Sequence, residues 1–179
     1  MRNNANDGQV SWGHVIGWGL IAGLIAGIVM AMFMMLVTGL SGQGFLAPLY
    51  AIAATFNPSW AMTKGFAVAP ILVGLMVHMM NSAVFGLIFA LLARLLFPRA
   101  LTLPLAAVAG SVWGLILLGV NQLIILPLVD TPLVTATNGI FGWWLIGHLM
   151  YGVVFGVIAG AALGRRVSAP GRVPTHQTA

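Results

Sequence analysis

Residues 148–160 read HLMYGVVFGVIAG. The stretch is apolar for more than three helical turns, yet it opens on an ionisable side chain. From His148 onward a small residue recurs at every fourth position, at Gly152, Gly156, Gly160 and Gly164. Positions four apart share a helix face, so the pattern predicts an apolar helix whose histidine heads a ridge of small side chains. An apolar helix without a polar face belongs inside a protein or in lipid. The same arrangement stands seventy residues earlier in HMMNSAVFGLIFA, residues 78–90, where His78 heads Ser82, Gly86 and Ala90. The two stretches share the pattern H-x-M-x-x-x-V-F-G-x-I.

The composition of the whole chain decides between the two settings. Of 179 residues, 60% are hydrophobic and 5% are charged. A soluble domain of this size would have too little polar surface to face water. A bilayer core takes about 20 apolar residues per helix, and four stretches are long enough: residues 15–38, 66–96, 103–128 and 139–163. The first follows Arg2 as a signal peptide would, but it is too long and no cleavage site follows it, so it is read as a helix. The expected fold is an all-α membrane protein, with a four-helix transmembrane domain over residues 1–164. The polar, turn-rich segment 165–179 is expected to be a basic cytoplasmic tail, mobile or held by a partner.

Charge gives the orientation. Four spans put both termini on one side, together with Arg2, Arg94, Arg99, Arg165, Arg166 and Arg172, and leave Lys64 on the other. That bias places the termini in the cytoplasm, here of a bacterial inner membrane. Trp12 and Trp18 at one interface, and Trp60, Trp143 and Trp144 at the other, match aromatic belts. The net charge of +5 comes from residues scattered between helices, so it reads as topology and not as a nucleic-acid site.

The chain also repeats. AGLIAG at residues 22–27 answers AGSVWG at residues 109–114, as the two histidine stretches answer each other. The expected architecture is two parallel-repeat helical hairpins, residues 15–97 and 103–164, related by a pseudo-two-fold axis along the membrane normal. His78 lies sixteen residues before Arg94, and His148 seventeen before Arg165. At 1.5 Å per residue both sit about 24 Å from the cytoplasmic anchors, at one depth in the outer half of the membrane. The connection at residues 39–65 contains GFLAPLYAIAATFNPSW, which is too short and proline-interrupted to span. It is expected on the outer interface or over the mouth of the bundle.

Three readings of the histidines stay open. In the first, His78 and His148 ligate haem b or another macrocycle between diagonal helices, with Ser82, Gly86, Gly152 and Gly156 leaving room for the ring and Phe85, Trp113, Tyr151 and Phe155 lining it. The protein would then be an electron-transfer subunit of a larger membrane complex. In the second, the histidines bond across helices to Asn81, Ser82, Asn121, Gln122 or Tyr151, in a cofactor-free accessory subunit packed against other membrane subunits. In the third, Met30 and Met34 join them as soft donors for copper(I), or the bundle transports a small molecule. The chain has no cysteine and no glutamate, and its only acids are Asp7 and Asp130. This argues against thiolate metal sites, paired-carboxylate catalysis and proton-coupled transport. No nucleophile or general base stands out, so no enzyme activity of its own is expected. The paired HMMNSAVFG and HLMYGVVFG segments, with glycine-rich helices before them, resemble uncharacterised small bacterial four-helix membrane proteins, which lend the chain no activity.

Overall fold

The computed structural model describes residues 10–96, 102–129, 133 and 137–164. The tail at 165–179, both aspartates and every arginine except Arg94 lie outside the described residues, so the orientation argument rests there on sequence alone. The described residues are helical, with turns and loops between the helices and no strand. The long helices are α1 (Trp12–Leu40), α3 (Val68–Leu96), α4 (Leu103–Val120) and α6 (Phe141–Gly164). A short α2 (Ala47–Ala53) and one 3-10 turn (Pro58–Met62) occupy the first long connection. Past α4 the helix runs through a π turn (Asn121–Ile125) into α5 (Leu126–Val129), giving one apolar helix over Leu103–Val129. Four helices are therefore long and apolar enough to cross a membrane.

Local chemistry explains the boundaries. Ser11 caps α1 by accepting from the His14 amide, and Pro70 and Pro104 sit in first turns, where a missing N–H is harmless. Pro127 cannot be absorbed in that way. Its ring clashes with the carbonyl four residues back, and the helix widens just before it: the Leu126 amide bonds to the Asn121 carbonyl, a π-type step.

Among the long helices the close backbone pairs are α1 with α3, α4 with α6, and α1 with α6, and α2 packs closely on α3. Small residues make the first two possible. A Cβ on Gly86 would lie 2.7 Å from the Gly23 Cα, and one on Gly156 would strike the Ala106 carbonyl oxygen and lie 3.0 Å from the Ala106 carbonyl carbon and 3.2 Å from the Ala107 Cα. Gly110 and Gly152 oppose each other reciprocally, each facing the other's carbonyl oxygen. The ridges headed by the histidines thus pack within the α1–α3 and α4–α6 pairs. α1 turns a second ridge, Ala22, Ala26, Met30 and Met34, into a core shared with Leu117, Tyr151, Phe155 and Ala159.

One end of the bundle is marked by Arg94 lying 5.0 Å over the Trp12 ring and by the His14 Nε2 within 3.4 Å of the Ala162 carbonyl. At the other end α2 covers the bundle. Leu49, Tyr50, Ala53 and Ala54 are buried, and the Leu49 carbonyl occupies the space a Cβ on Gly74 would need. The Tyr50 hydroxyl donates to the Gly65 carbonyl at 2.6 Å and accepts from the Ala67 amide at 3.2 Å. Gly65 makes that return into α3 with φ of +78°, a conformation that favours glycine.

Candidate ligand cavity

The helix pairs part in the half of the bundle nearest α2. α3 and α4 meet further down through rings: Phe89 lies 5.7 Å from Trp113 and 5.0 Å edge-on from Phe155, which stacks on Tyr151 at 6.3 Å. Above this aromatic floor is a cavity of about 170 Å3. His78, Asn81, Ser82 and Phe85 line it from α3, Asn121 and Ile125 from the π turn, and Trp144, His148 and Tyr151 from α6, with Met30 of α1 behind. A second cavity of about 270 Å3 lies under α2, lined by Thr38, Gln43, Ala51 and Thr137 among others. Ile52, Leu133 and Trp144 belong to both walls.

The two histidines share this cavity, but each bonds to a backbone carbonyl and to none of the side chains expected from the sequence. His78 Nε2 is 2.9 Å from the Gly27 carbonyl of α1, and His148 Nδ1 is 3.0 Å from the Trp144 carbonyl of its own helix. A carbonyl only accepts, so these nitrogens carry the hydrogens. In the neutral rings Nδ1 of His78 and Nε2 of His148 are left as acceptors. A side chain at Gly27 would strike the Ser82 hydroxyl, so the glycine keeps α1 close to α3 at this bond. Ser82 donates to the His78 carbonyl at 2.8 Å, and its own carbonyl accepts from the Tyr151 hydroxyl at 2.9 Å, a bond that ties α3 to α6.

The π turn separates two amides. Gln122 turns away from the cavity, donating to Asn138 at 2.8 Å and accepting from Thr137 at 3.0 Å, which fixes this helix to the start of α6. Asn121 turns to the cavity. Among the described residues neither Asn121 nor Asn81 makes a side-chain hydrogen bond, and the lining contains no lysine, arginine or carboxylate.

This arrangement does not fit a bis-histidine macrocycle. Gly86, Gly152 and Gly156 abut backbone of α1 or α4 and leave no slot, the rings of Phe85, Phe89, Tyr151 and Phe155 fill the space below, and 170 Å3 is under the roughly 300–1,000 Å3 of pockets for drug-sized ligands. The purified protein is accordingly expected to be colourless. A haem band in a reduced-minus-oxidised spectrum, lost in His148→Ala, would overturn this reading of the packing. The methionines divide: Met30 lines the histidine cavity, whereas Met34 lines the second cavity. Among the described residues no three histidine, cysteine or acidic side chains form a metal-binding group.

Comparison with known proteins adds no family to this geometry. No family model, curated protein or solved structure matches the chain. Sequence reasoning missed the π turn and the carbonyl partners of the histidines. Pro127, inside a stretch otherwise apolar enough to continue as helix, is the signal that could have found the first.

Proposed function

We propose that this protein is a small-molecule-handling protein of the bacterial inner membrane, which holds an uncharged, hydrogen-bonding molecule between its helix pairs. The supporting observation is the cavity itself: two asparagine amides without side-chain partners and two singly bonded imidazoles, gathered in an apolar bundle with no charged side chain among the described residues of the lining. Unpaired polar groups are costly in lipid, and an occupant that completes their bonds offsets that cost. An ion would find no opposite charge among the described residues of the lining.

On this reading the α1–α3 and α4–α6 pairs are the two repeated hairpins, and the cavity lies on their pseudo-two-fold axis. The termini are cytoplasmic. Arg94 beside Trp12 is the described part of the basic end, and Lys64 sits by the capped end, so the cavity opens in the outer half.

The test is thermal unfolding of the detergent-purified protein against phenol, urea and glycerol as neutral probes, with acetate, methylammonium and copper(I) as charged ones. At least one neutral probe is expected to raise Tm saturably, and Asn121→Leu is expected to abolish the rise. Stabilisation by copper(I) alone, lost in Met30→Leu, would transfer the site to the metal reading. No stabilisation by any probe would sink the proposal.

A further inference from the structure

The cavity is not closed on the side of the α3–α4 gap. Asn81, Phe56 and Val129 line it and are exposed, Phe56 at 66% and Val129 at 55%. Asn81 stands on α3 and Val129 on α5, whose helices are not a close backbone pair, and Phe56 lies in the connection after α2. In a chain whose outward surface is apolar, that gap faces acyl chains. The opening is bounded below by the Phe89–Trp113 contact, so it reaches only the half of the bundle that holds the histidines.

We infer that the occupant is a lipid-borne amphiphile with one six-membered ring and ring oxygens, of the benzoquinone, hydroquinone or phenol class, which enters sideways between α3 and α4. The inference rests on the small-molecule reading above and names its ligand class. Size is the first argument: an engineered cavity of about 150 Å3 accommodates benzene, and this one measures about 170 Å3. Chemistry is the second. A ring oxygen that accepts needs a donor, and one that donates needs an acceptor. Asparagine amides supply both, and His148 Nε2 supplies an acceptor. Phe85 and Tyr151 add aromatic surface to the wall against which a bound ring would lie. The third argument is the exit. An apolar tail attached to the ring can leave past Val77 and Ile125, both half-buried on the cavity wall, into lipid without crossing a polar group. The alternative route, from water through the second cavity, would have to pass Ile52, Leu133 and Trp144, which line both cavities.

The experiment is photolabelling of the full-length protein in nanodiscs with an azido-benzoquinone bearing a short alkyl tail, mapped by mass spectrometry. Competition uses excess decyl-substituted benzoquinone. The expected result is label concentrated in residues 77–85 and 121–129, competed away, and at least tenfold weaker in both Asn121→Leu and His148→Phe, each first checked for a cooperative unfolding transition. Label spread evenly over lipid-facing positions such as Val153 and Val157, or not competed, overturns the inference. If phenol stabilises the protein in detergent but the tailed quinone neither labels nor competes, the occupant comes from water and only this inference falls. If neither binds, the small-molecule reading falls with it.

Discussion

Replacing Gly152 with leucine is expected to break the α4–α6 pair, lowering the apparent Tm of the purified protein sharply or preventing its recovery as a folded species. A Cβ at this position points into the carbonyl of Gly110, lies 2.8 Å from its carbonyl carbon and is 3.1 Å from the Ser111 Cα. Backbone cannot rotate out of the way as a side chain can, so the helices must separate. Separation removes the dispersion contacts that hold apolar helices together in lipid, where no hydrophobic term replaces them. Overpacking of a core costs about 1–3 kcal/mol when side chains can adjust, and the cost here lies at or above the top of that range. Gly152→Ala should fall between wild type and leucine. The internal control is Gly119, on α4, where a Cβ meets nothing within 4 Å. Gly119→Leu should leave Tm unchanged or slightly higher, since leucine has the better helix propensity. Equal melting of Gly152→Leu and Gly119→Leu would refute the assignment of this ridge to the α4–α6 contact.

The same glycines show what the sequence could and could not convey. Four-residue spacing identified the ridges, because a helix has one geometry and i, i+4 positions always align. Counting back from Arg94 and Arg165 likewise put His78 and His148 at one depth, and both line one cavity. Spacing on one helix carries no information about the helix opposite. The ridge of Gly86 packs on Gly19 and Gly23, and that of Gly156 on Gly110 and Ala106, so neither holds a ring between α3 and α6. The hydrogen-bond partners were illegible for a related reason. Every residue has a carbonyl, and nothing in the identity of Gly27 or Trp144 marks its oxygen as the acceptor for an imidazole. The first long connection was legible only as non-spanning. The closest point of its seat on α3 is one matched pair, Leu49 against Gly74, twenty-five residues apart.

That pair sets the second large expected effect. Gly74→Leu is expected to lift α2 off the bundle while leaving the four long helices assembled. A Cβ on Gly74 coincides with the Leu49 carbonyl and comes within 3.0 Å of the Leu49 Cα, so α2 has to move. That movement breaks the packing of α2 on α3 and the Tyr50 bonds to Gly65 and Ala67, but the α1–α3, α1–α6 and α4–α6 pairs do not include α2 and can stay assembled. The native chain has no cysteine, so one introduced at buried Ala54 reports the cap alone. A shift of about 1.4–3 kcal/mol in the opening equilibrium should raise its alkylation rate by a polar maleimide about ten- to a hundred-fold. Tm should fall much less than in Gly152→Leu. Because Ile52 and Thr55 belong to the wall of the histidine cavity, lifting the cap also widens that cavity toward water. A ligand that enters from lipid would then bind more weakly by losing its enclosure, whereas one that enters from water would exchange faster. An unchanged alkylation rate would mean that Gly74 does not hold the cap. A collapse of Tm equal to that of Gly152→Leu would make α2 part of the core and not a cover over it.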